Sequence, residues 1–106
     1  MDRYVEIDPA IDAWAAKYGL DVIGEWAGED SRFAYTSGNP PRECFQVAID
    51  PPAEGRVAVH ARSVETWDDQ ELEERWDGPS DMIGAMLEAA MAAVARWRES
   101  YDRRWR

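Results

Sequence analysis

His60 is the only histidine in this chain and Cys44 is the only cysteine. An imidazole that titrates near neutral pH beside a thiol is the smallest pairing able to activate a nucleophile, so these two residues are the candidate catalytic groups. On a pair of strands, the alternation of the sequence sets Gln46 opposite His60 and Cys44 opposite Arg62, with thiol and imidazole diagonal on one polar face. A small hydrolase or isomerase built this way needs a concave site around Gln46, His60 and Arg62, and a third group to orient the ring. No residue spacing marks that third group.

A second constellation is acidic. Glu65, Asp68, Asp69, Glu71, Glu73, Glu74 and Asp77 fall in one short stretch with Trp67 and Trp76 among them. The spacing lacks the alternating oxygen ligands and central glycine of a calcium loop, and a lone cysteine does not furnish a thiolate zinc site, so no metal is expected. Nor is a cofactor expected, because there is no glycine-rich strand-to-helix fingerprint and no phosphate loop ending in Lys-Ser or Lys-Thr. Aromatic anchors ringed by charge suit a contact with another protein, apolar at its centre and polar at its rim. Trp67, Asp68, Asp69, Glu71, Glu73, Glu74 and Trp76 are therefore the candidate partner-binding residues.

Charge defines the partner. The 106 residues carry 22 acids against 12 bases, a formal net charge of -10, which opposes general binding to nucleic acid or to an anionic membrane and favours a basic protein. Lys17 is the only lysine, while Arg96, Arg98, Arg103, Arg104 and Arg106 make the last segment basic. The sequence thus points to a noncatalytic interaction domain, an acidic adaptor, chaperone or inhibitor of a basic partner. Besides the His60 enzyme, the alternative is a homo-oligomeric domain, a homodimer for instance, in which Trp97, Tyr101 and Trp105 complete a core between copies. The first residues lack the apolar block of a secretion signal and no stretch suits a bilayer, so a cytoplasmic location is expected.

These residues must be positioned by elements legible in the pattern. One compact domain spanning residues 1–106 is expected from the length. Asp8-Pro9 offers a helix start, Ile11, Trp14, Ala15 and Tyr18 recur at helical spacing, and Gly19 offers a left-handed stop, which predicts a helix over 9–18. Two strands follow over 20–26 and 32–36, joined by the loop 27–31, with Trp26 and Phe33 facing each other. Phe45, Val47 and Ile49 alternate with polar or small residues, as do Val57, Val59 and Ala61. That alternation predicts a hairpin with Ile49 opposite Val57, or a register shifted by two. Leu72 and Trp76 stand one helical turn apart and suggest a short helix, broken by Asp77-Gly78-Pro79. From Ser80 onward, Ile83, Met86, Leu87, Ala90, Met91, Val94, Trp97 and Tyr101 mark a long amphipathic helix. The expected architecture is α+β: a short N-terminal helix, a four-stranded mainly antiparallel sheet, and the long C-terminal helix packed on one sheet face.

Overall fold

The computed structural model describes residues 3–37, 44–65 and 72–104. The first helix, α1, runs Asp8–Tyr18 and turns Ile11, Trp14 and Ala15 inward. Gly19 ends it at φ 65°, a left-handed conformation that a residue without a Cβ adopts at little cost, and the amides of Gly19 and Leu20 both donate to the Ala15 carbonyl. Asp8 lies inside the helix. Its carboxylate is held elsewhere by Arg32, and Ile7 occupies the cap position without a side-chain hydrogen bond.

Five strands then form an antiparallel meander in chain order: β1 (Ile23–Trp26), β2 (Glu29–Ser37), β3 (Cys44–Ile49), β4 (Arg56–Glu65) and β5 (Glu73–Pro79). The four-stranded expectation is corrected by β5. Leu72 and Trp76 mimic a helical interval, but Glu74, Trp76 and Gly78 are the more buried members of a period-two alternation, while Glu73, Arg75, Asp77 and Pro79 are exposed. An edge strand whose outward positions are charged has no apolar run to announce it. Pro79 falls at its last position, where loss of a donor costs little.

Two tight turns set the registers. Ala27 and Gly28, both at positive φ (55° and 83°), join β1 to β2 in place of the expected five-residue loop, so Trp26 pairs with Glu29. Glu54 and Gly55 do the same before β4 (φ 53° and 74°), closed by a bridge between Ala53 and Arg56. Positive φ at both central residues gives the turn whose twist matches a hairpin. The second turn places Ile49 opposite Val59, Val47 opposite Ala61 and Gln46 opposite Arg62, two residues from the first expectation. Such a shift preserves which side chains face the core.

The second helix, α2 (Ile83–Arg104), follows a single 3₁₀ turn at Ser80–Met82 and crosses the face formed by β3, β4 and β5. Val47, Ile49, Val57 and Val59 share one dry layer with Ile83, Leu87 and Val94, and Met91 packs against it. Phe45, Leu87, Val47, Val59 and Val94 are among the fully buried side chains, each contributing about 1.5–3 kcal/mol through removal from water. Helix α1 lies beside α2 on the same side, tied to it by Lys17 and Tyr18, which both donate to Glu88. These bonds raise the pKa of both donors and lower that of Glu88, with the Tyr18 bond the larger influence on the carboxylate. No described helix packs on the other face of the sheet.

Candidate functional site

The helix-free face is built by the alternate residues of each strand. Phe33 and Tyr35 on β2, Gln46 and Ala48 on β3, and Ala58, His60 and Arg62 on β4 share it with Arg75 and Asp77 on β5. At the β1 side, Trp26 meets Phe33 edge to face, with ring centroids 6.0 Å apart at 78°, and Phe33 meets Tyr35 at 5.7 Å and 86°. Phe33 is the buried floor of this cluster; Trp26 and Tyr35 are 66% and 45% exposed. Next to the rings, Gln46 is only 7% exposed, and its Oε1 accepts a 2.8 Å hydrogen bond from Arg62 Nε. Trp26, Phe33, Tyr35, Gln46, Ala48 and Arg62 surround a depression of about 340 Å³.

The catalytic pairing does not assemble. Ala48 stands opposite His60, whereas Cys44 stands opposite Glu65 beyond a register irregularity. Four residues of strand separate the two positions along β3, about 13 Å at the usual rise. His60 instead meets Asp50, with Nε2 and Oδ2 2.9 Å apart on an exposed surface. An aspartate orients the imidazole, but no nucleophile lies at its other nitrogen in any contact among the described residues. No group of three or more His, Cys, Asp or Glu side chains suited to a metal occurs among those residues either.

Of the candidate partner residues, Trp67, Asp68, Asp69 and Glu71 lie outside the described residues. Glu73 is exposed at the start of β5; Glu74 receives Arg96 from α2 at 3.3 Å; Trp76 is half-buried and packs against the core. The structure therefore turns Trp76 and Glu74 toward α2 and Glu73 away from it. Trp97, offered by the sequence to a second copy, lies on Phe45 within its own chain at a centroid distance of 5.6 Å. Trp105 lies outside the described residues.

The β1–β2 tip is a surface that residue spacing alone does not mark. Trp26 pairs there with Glu29 on the open face, while Glu25 and Asp30 pair on the reverse face of the hairpin, all four exposed. Its sequence signal is Glu-Trp followed by Glu-Asp across Ala-Gly, which a loop over 27–31 would scatter. The middle of the open face mixes charges, with Arg62 beside the pairs His60–Asp50 and Arg75–Asp77. No described helix is long and apolar enough to cross a membrane. No family model matches the chain, and no characterised protein or solved structure matches it.

Proposed function

We propose that this chain is a noncatalytic protein-interaction domain that binds a basic polypeptide, in the manner of an acidic adaptor, chaperone or inhibitor, in the cytoplasm. The observation that carries this reading is the exposed Trp26 opposite Glu29 at the tip of an edge hairpin whose reverse face adds the exposed pair Glu25 and Asp30. An indole face attracts a guanidinium or ammonium group, and the Glu29 carboxylate beside it, with the field of Glu25 and Asp30 behind it, steers that group and rejects acidic competitors. Arg62 repels the same partner from the sheet beside Gln46, which directs it to the hairpin tip. Asp68, Asp69, Glu71 and Glu73 belong to this reading as contributors to the attractive field.

The test is titration with short peptides of equal apolar content and basic, neutral or acidic charge, at about 50 mM and about 300 mM salt, a range over which screening strengthens markedly. The basic peptide binds best, and best at low salt. The triple variant Glu25→Gln, Glu29→Gln, Asp30→Asn loses that preference, while the control Glu6→Gln, Asp12→Asn, Asp21→Asn, equal in net charge, retains most of it. Equal weakening by the two triples, or indifference to peptide charge, overturns the reading. A concentration-dependent mass without peptide would favour self-association instead.

A further inference from the structure

We propose that the depression between the aromatic cluster and Arg62 is a binding site for a carboxylate carried on an aromatic ring. This site shares Trp26 with the hairpin tip but takes a guest of opposite charge and does not depend on a basic partner. Its floor and walls are Phe33, Trp26 and Tyr35, whose near-perpendicular rings offer both edges and faces to a planar guest. Its polar end is the Arg62 guanidinium. Gln46 Oε1 takes the Nε hydrogen at 2.8 Å, so the terminal Nη groups are left as the free fork, the edge that binds a carboxylate through two parallel hydrogen bonds.

The support beneath this fork is fixed. Gln46 is more than nine-tenths buried on the central strand β3, flanked by Tyr35 on β2 and Arg62 on β4 in register, so the amide holds the guanidinium at a set place beside the rings. A guanidinium held by a neutral partner keeps its full charge for a guest. Glu73 stands opposite Arg62 on β5, yet among the described residues Arg62 forms no ion pair, and Gln46 is its side-chain hydrogen-bond partner. A cationic guest is repelled here, and a wholly apolar one leaves the fork without an anion. About 340 Å³ accommodates a one- or two-ring acid and falls at the small end of ligand pockets. Ser31 at the rim adds one hydroxyl.

The same chemistry comes from a free aromatic acid or from a polypeptide ending in an aromatic residue with a free carboxylate. Calorimetric and amide-resonance titrations with 2-naphthoate and its uncharged analogue 2-naphthamide separate the site from simple apolar adhesion. The acid binds at least about tenfold more tightly than the amide, the range expected of a charge-assisted hydrogen-bonded pair. Arg62→Gln abolishes that difference, and Arg62→Lys restores only part of it because an ammonium does not fork. The shifted amides lie on β2, β3 and β4 around Tyr35, Gln46 and Arg62. A short peptide ending in Phe with a free carboxylate, compared with its amidated form, assigns the source: tighter binding than naphthoate identifies a chain end, and weaker binding a free acid. Neutralising Glu25, Glu29 and Asp30 does not weaken naphthoate, which separates failure of this site from failure of the basic-partner reading. Equal affinity for acid and amide in the unaltered protein, shifts centred away from these strands, or no binding up to millimolar concentration overturns the proposal, whether or not the variants fold.

Discussion

Arg32 on β2 grips Asp8 in the first turn of α1 through two hydrogen bonds, Nε to Oδ1 at 2.7 Å and Nη2 to Oδ2 at 3.0 Å. Its remaining nitrogen donates to the carbonyls of Gly24 and Ser31, and the guanidinium lies 4.5 Å over the Tyr4 ring. One side chain thus ties the N-terminal segment, α1, β1 and β2 together. The pair is mostly shielded, with side-chain exposures of 12% and 25%, so removing one partner strands a charge out of water. Arg32→Ala should lower stability by about 2–3 kcal/mol in urea unfolding, and Arg32→Lys should recover little of it. A loss below about 0.5 kcal/mol, the level of an ordinary surface substitution, would mean the junction holds without this grip.

Tyr4 gives the fold a dependence on alkaline pH. Its hydroxyl donates to the Ile49 carbonyl at 3.1 Å, and burial is the main cause that raises its pKa above the ordinary 10.0, partly opposed by Arg3 and Arg32. Because the folded state favours the protonated phenol, its contribution is fully present below the unfolded pKa and is lost as pH rises through the folded one. Tyr4→Phe should cost about 1 kcal/mol near neutral pH, the net value of a buried hydrogen bond whose acceptor is left unpaired. Above about pH 10 the difference from the unaltered protein should shrink or reverse. Parallel pH–stability curves for the two proteins would refute the assignment.

Trp76 and Trp26 exchange the roles their sequence neighbourhoods suggest. Trp76, set among acids, packs against the core from β5; Trp26, in a short alternating run, is exposed. Trp76→Ala should cost about 2–3 kcal/mol as a partly buried large-to-small change. Trp26→Ala should cost about 1 kcal/mol or less, the scale of its edge contact with Phe33. Thermal unfolding of the two variants checks the order, and a greater loss at Trp26 would reverse the placement of the strands.

The same contrast explains which parts of the fold were legible. Phe45, Val47, Ile49 and Val57, Val59, Ala61 announce two strands because one face of each is wholly apolar, and the α2 stripe announces the helix that covers them. Strand β5 is silent because only Trp76 and the small Gly78 mark its inner side, and Leu72 with Trp76 fits a helical turn equally well. Alternation also leaves a two-residue slip of β3 against β4 undecided, since the core set survives it. The turn at Glu54 and Gly55 decides the register, and the register decides the site: it places Arg62, not His60, beside Gln46. The Trp26–Phe33 contact was readable across its hairpin, whereas the cation completing the depression depended on a turn with no Asn-Gly signature.

That missing signature is itself testable at the first turn. Ala27 sits at φ 55°, where the Cβ approaches the carbonyl oxygen and the left-handed conformation costs about 1–2 kcal/mol for an ordinary residue. Asparagine tolerates this region, so Ala27→Asn should relieve most of the strain and raise the unfolding midpoint by several degrees, about 4 °C for each kcal/mol gained in a chain of this size. Ala27→Gly removes the same strain but also widens the unfolded ensemble, so its gain should be smaller. Because Trp26 and Glu29 flank the turn, a stiffer tip should also hold Glu29 beside the indole more of the time and strengthen basic-peptide binding. A fall in midpoint for Ala27→Asn would show that the chain does not cross at Ala27-Gly28 in this geometry, and the pairing of Trp26 with Glu29 would fall with it.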